Sequence, residues 1–129
     1  MTFEGMSAAD ARTLASKWLP AWTGNQPEKL AAFYTEDAFY SDPGVPFGIQ
    51  GKPALLEYFT RLLARYPGWI WTQERAVPLE GGFLNFWKAE IPEKERTVTL
   101  RGVCVVQLSD GLICRNEVFF DRSSWMTPK

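Results

Sequence analysis

The hydrophobic period of this chain changes at Pro67-Gly68 and does not change back. Before that pair, apart from one short strand, apolar residues recur at helical spacing; after it they alternate, as in strands that bury one face. Three helical segments come first. Ser7 caps the first, with Asp10 in a capping-box arrangement, and Ala11, Leu14, Ala15, Trp18, Leu19 and Trp22 form its apolar stripe. Pro20 removes a backbone donor inside that stripe, which predicts a kink or early fraying before Thr23-Gly24-Asn25. A second helix starts near Pro27, carries Leu30, Phe33 and Tyr34 on one face, and stops around Thr35-Glu36. The third runs from Pro53 to Tyr66 and buries Leu55, Leu56, Phe59, Leu62 and Leu63.

The strands follow as Trp69 to Val77, Phe83 to Ile91, Thr97 to Leu108 and Leu112 to Asp121. Asp110-Gly111 is a two-residue hairpin turn. Helices followed by an antiparallel meander predict an α+β fold, with the sheet curled around the helices and a cavity at its wide end. A chain of 129 residues suits a single domain over residues 1–129, and it buries roughly two thirds of its unfolded surface.

Between the second and third helices, Asp37 to Phe59 reads DAFYSDPGVPFGIQGKPALLEYF. It holds a short strand from Ala38 to Tyr40, a carboxylate at Asp42, a Pro-Gly turn and a helix start at Gly51-Lys52-Pro53. Asp42 sits among Phe39, Tyr40 and Phe47. A carboxylate desolvated by aromatic neighbours is a better base. The plainer alternative is an Asx-turn, in which Asp42 caps the backbone around Pro43.

Composition narrows the chemistry. With no histidine, His-based acid–base catalysis, histidine triads and most zinc or iron sites are excluded, and no metal or cofactor is expected. Any proton transfer must use Asp, Glu, Tyr, Lys or Cys. Interspersed charges and a net charge of −1 argue against a nucleic-acid surface. No signal pattern or long apolar run is visible, which points to a cytoplasmic protein off the membrane. Counting outwards from Asp110-Gly111 sets Cys114 opposite Gln107 and Cys104 opposite Glu117. The two cysteines then face opposite sides of the sheet as buried free thiols, without a disulfide. Alternation along the last strand puts Asn116, Val118 and Phe120 on one face, and Arg115, Glu117 and Asp121 on the other. Glu117 is then an outer-face residue that pairs with Arg115 or Arg101.

The order of a helix, D-A-x-Y-x-D-P, G-x-x-A-L-x-x-Y-F and strands ending R-N-E-V-x-F-D-R resembles the SnoaL-like branch of the NTF2-like superfamily, over about residues 8 to 125. The resemblance implies a cone: three N-terminal helices packed in a curved, mainly antiparallel sheet that encloses a pocket. It also implies a homodimer. By position, Asp42 falls on the general base of ketosteroid isomerases, and Trp18 and about Cys104 fall on that class's oxyanion donors. An indole donates one hydrogen bond and a thiol donates poorly. The water-activating Arg and Asp pair of the related epoxide hydrolases fall on Trp87, Ala89 and Val118, none ionisable, so that mechanism is rejected. Family likeness turns Asn116, Val118 and Phe120 towards the pocket.

The expected site is therefore Asp42 as catalytic base, with Trp18, Tyr34, Phe59, Trp87, Cys104, Asn116, Val118 and Phe120 against an apolar small molecule. Tyr40 and Tyr58 are further donors, and Trp22, Phe33, Phe47 and Trp71 are walls of core or cavity. The leading reading is an isomerase or cyclase working by proton transfer; the alternatives are a non-catalytic binding module and a dimerisation domain.

Overall fold

Ser7 accepts a hydrogen bond from the Asp10 amide (3.0 Å) and opens α1, Ala8–Trp18, in the computed structural model, which describes residues 7–93 and 95–120. Pro20 has the expected effect: α1 gives way to a 3₁₀ turn, Leu19–Trp22, that buries Leu19, Ala21 and Trp22. Helix α2 is only Pro27–Ala31. Tyr34 is therefore not helical, contrary to the sequence expectation. It begins strand β1, Tyr34–Asp42, and pairs with Ile113. Pairing with the last strand captures this segment, whose aromatic and β-branched residues suit a sheet better than a helix end.

Strand β1 is thus longer than Ala38 to Tyr40, and a second strand, β2 (Val45–Gln50), follows the Pro-Gly turn and pairs with it. The sequence pattern predicts no strand there. Strand β2 lies at the sheet edge, where Pro46 leaves no ladder bond unmade. Phe47 on this edge is 97% exposed, so it is neither core nor cavity wall. Gly51, at φ 93°, turns the chain into α3, Lys52–Arg65, and its amide donates to the Ala38 carbonyl (2.9 Å). Leu55, Phe59 and Leu63 form the buried stripe of α3.

Strands β3 (Ile70–Leu79), β4 (Gly82–Glu93), β5 (Arg96–Ser109) and β6 (Leu112–Phe120) complete the sheet. Its order is β2-β1-β6-β5-β4-β3, antiparallel except for the parallel β1–β6 pair. This is the expected α+β cone. The hairpin turn at Asp110-Gly111 has positive φ at both residues, as its geometry requires. Asp121 and the rest of the R-N-E-V-F-F-D-R ending beyond Phe120 lie outside the described residues.

The register of β5 on β6 departs from simple counting. Ser109 and Leu108 face Leu112 and Ile113 as expected, but the ladder then slips, so Gln107 faces Arg115 and Cys104 faces Val118. Cys114 is the extra residue of this bulge, half-buried rather than buried, with its thiol 3.5 Å from the Gln107 carbonyl. The slip puts Cys104 on the same face as Asn116 and Val118 instead of opposite Glu117. Both cysteines are free. Glu117 stays on the outer face and pairs with Arg115 (3.1 Å).

Candidate functional site

Helix α3, the 3₁₀ turn and the concave sheet face enclose a cavity of about 580 Å³. Half of its lining residues are aromatic. Trp18 and Trp22 come from the α1 end, Trp71 and Trp87 from β3 and β4, and Phe120 from β6. The rings brace one another: Trp71 meets Trp87 edge-on at 4.8 Å, Trp22 lies 5.7 Å from Trp71, and Trp87 lies 5.5 Å from Phe120. Trp87 can lie flat to the sheet because its β5 partner is Gly102; a Cβ there would collide with the indole and with the Phe119 carbonyl.

Asp42 joins this wall at the end of β1. Its Oδ1 accepts from the Gly44 amide (2.7 Å) and the Val45 amide (3.1 Å), which is the Asx-turn arrangement. Its Oδ2 accepts from the hydroxyls of Tyr40 (2.7 Å) and Tyr58 (2.8 Å). Both readings of Asp42 hold together: it caps the turn and it borders the cavity. Four donors match the acceptor capacity of one carboxylate.

Behind the wall lies a neutral polar layer. Tyr34 accepts a bond from the Asn116 amide (3.1 Å), and both residues are fully buried. Burial pushes the Tyr34 hydroxyl far above the ordinary phenol range, an effect that the Asn116 bond only partly offsets. Tyr40 is raised for the same first reason, with the neighbouring Asp42 charge adding to it. Burial also pushes the Cys104 thiol up to about 12. The Trp18 and Trp87 indole nitrogens, the Asn85 amide nitrogen and the Asn116 carbonyl oxygen are buried and reach no hydrogen-bond partner among the described residues. Cys104 is therefore a neutral thiol, unsuited to nucleophilic work.

Of the residues expected in the site, Asp42, Trp18, Trp87, Cys104, Val118 and Phe120 line the cavity. Tyr34, Phe59 and Asn116 do not. Tyr34 leaves α2 for β1, Phe59 lies on the inner stripe of α3, and Asn116 turns to Tyr34, so all three sit in the core behind the wall. The lining also takes in Arg61, Arg65, Tyr66 and Trp69, which the sequence does not mark as site residues. Their signal was available in part, since Tyr58, Arg61, Leu62, Arg65 and Tyr66 repeat at helical spacing as a second face of α3. Among the described residues, no group of three His, Cys, Asp or Glu side chains could hold a metal ion. No helix there is long and apolar enough to cross a membrane.

Two of the solved structures that share this architecture illustrate the likeness. One is a Catenulispora acidiphila hypothetical protein with a ketosteroid isomerase-like fold, in complex with trimethylamine. It superposes with a TM-score of 0.75 at 17% identity, over 86% of this chain and 87% of its own. The other is an M. tuberculosis LEH-like epoxide hydrolase, with a TM-score of 0.71 at 18% identity, over 88% of this chain and 84% of its own. At such identities the likeness establishes the fold alone. No curated protein matches the sequence. The family model of the SnoaL-like domain matches residues 15–116. That match takes in the end of α1, all of α2 and α3 and most of the sheet, and the chain belongs to the SnoaL-like domain family.

Proposed function

We propose that this protein binds a small organic molecule with an apolar body and a cationic amine head, and that Asp42 anchors the ligand instead of turning it over. The observation that carries this reading is the cavity wall itself, where Trp18, Trp22, Tyr40, Trp71 and Trp87 surround a space bordered by the Asp42 carboxylate. Ring faces are electronegative, and a desolvated ammonium against them gains about 2 kcal/mol. The carboxylate adds a counter-charge. A base needs a lone pair free for the substrate proton, and the four donors on Asp42 leave none unoccupied. The complex of the similar Catenulispora acidiphila protein with trimethylamine supports an amine as the head group.

The test is titration calorimetry with choline and with 3,3-dimethyl-1-butanol, its uncharged carbon analogue. Choline should bind at least about tenfold more tightly, which is 1.4 kcal/mol. Equal or tighter binding of the alcohol would leave a purely apolar site and remove the amine.

A second reading, carboxylate-mediated isomerisation or cyclisation, is favoured by one observation: Asp42, which borders the cavity, accepts from the side-chain hydroxyls of Tyr40 and Tyr58. A substrate oxygen could take over those protons. Under this reading the protein exchanges deuterium into the α-carbon of a cyclic enone, and Asp42→Asn stops the exchange without unfolding the chain. Absence of exchange in the wild type rejects it.

A further inference from the structure

We infer that the ligand is a zwitterion, with its anionic end held by Arg61 and Arg65 at the cavity rim and its ammonium head beside Asp42. This deepens the binding reading above and rests on it. Helix α3 carries two faces. Leu55, Phe59 and Leu63 enter the core, while Arg61 and Arg65, one turn apart, border the cavity. Like charges four residues apart destabilise a helix, so the arrangement has no local benefit. Arg65 lies in the last turn, where a cation complements the helix dipole, but Arg61 lies outside that turn. The dipole accounts for only one of them.

The charges around the cavity are unbalanced in a specific way. Among the described residues, Asp42, Arg61 and Arg65 are its only charged lining groups, and none meets an opposite charge at ion-pair distance. A ligand that is only a cation gains at Asp42 and is opposed by two guanidinium groups. One that is only an anion meets the reverse problem. A molecule carrying both charges, separated by a short apolar stretch, satisfies each end. Guanidinium forks bind carboxylates in bidentate geometry, which makes a carboxylate the fitting anion. Both arginines are solvent-exposed, so this contribution falls with salt.

Calorimetry with choline, glycine betaine and γ-butyrobetaine tests the inference on the wild type and on the Arg61→Ala/Arg65→Ala double variant. At least one of the two carboxylated probes should bind the wild type about tenfold more tightly than choline at low salt. That advantage should vanish in the double variant and shrink in high salt, while choline binding stays equal or tightens. Exposed arginines on a helix surface are dispensable for folding, so the double variant remains testable. If choline binds as tightly as both carboxylated probes, or if their advantage survives the double variant, the anionic end is wrong and the amine reading stands. If none of the three probes binds, the cavity reading falls, and this inference falls with it.

Discussion

At its inner end the cavity is closed by Trp18, Trp87 and Cys104, all essentially out of contact with water; at its rim it is bordered by Asp42, Tyr58, Arg61 and Arg65, all within reach of solvent. The inner end holds only neutral groups, and burial keeps them neutral by raising the Tyr34, Tyr40 and Cys104 protonation ranges. The rim holds every formal charge of the site. Ionising a group in a ring-lined interior forfeits its hydration, whereas at the rim water still solvates it. One cavity thus combines a rigid apolar floor, which sets ligand shape, with an adaptable charged edge, which sets ligand polarity.

The largest expected effect breaks the inner end by pH. Cys104 has a raised pKa, so its unfolded form releases a proton from about pH 9, whereas the folded form holds it to about 12. Tyr34 and Tyr40 behave likewise from their ordinary value near 10 upwards. Stability is therefore complete below pH 9 and declines as pH rises through this window, because the unfolded state binds fewer protons. Urea melts across that range should show the loss, and Cys104→Ala should delay its onset by about one pH unit, the gap between thiol and phenol. An unchanged onset in the variant would show that the thiol does not contribute.

Next in size, Trp87→Ala empties the floor and should cost about 3–5 kcal/mol in denaturant unfolding. A loss below about 1 kcal/mol would mean that the ring's neighbours close the gap. Asp42→Asn at the rim removes the charge but keeps one acceptor oxygen for the turn amides. It should cost about 1–3 kcal/mol and abolish any preference for choline over its neutral analogue. Full retention of that preference would place the ligand's cation elsewhere. Smallest of all, Glu117→Gln on the outer sheet face removes one half-exposed ion pair with Arg115, and stability should change by less than about 1 kcal/mol. Ligand binding should not change at all, since Glu117 lies across the sheet from the cavity.

How much of this was legible follows from the range of the forces involved. The α1 cap at Ser7, the break at Pro20, the buried face of α3 and the Asp110-Gly111 turn are local decisions, and each appears where its residues place it. The β1 strand was underestimated at both ends. Tyr34 joins the sheet because Ile113, far along the chain, is there to pair with it. The bulge at Cys114 has no signature in residue type; it reflects how β5 and β6 coil together, and it decides that Cys104 faces the cavity. For the site, the aromatic wall was partly legible from the abundance of tryptophan. The rim was not, because Arg61 and Arg65 look like ordinary solvated residues until α3 is docked.

By itself, the sequence determined the fold class, the run of strands after Pro67-Gly68 and the absence of histidine chemistry, since these depend on periodicity and composition that no packing can alter. The tertiary structure alone decided the β5–β6 register that turns Cys104 to the cavity, that Asp42 both caps its turn and borders the cavity, and that Arg61 and Arg65 border the same cavity. Those outcomes depend on strand register and helix docking, where a shift of one residue moves a side chain from solvent to interior.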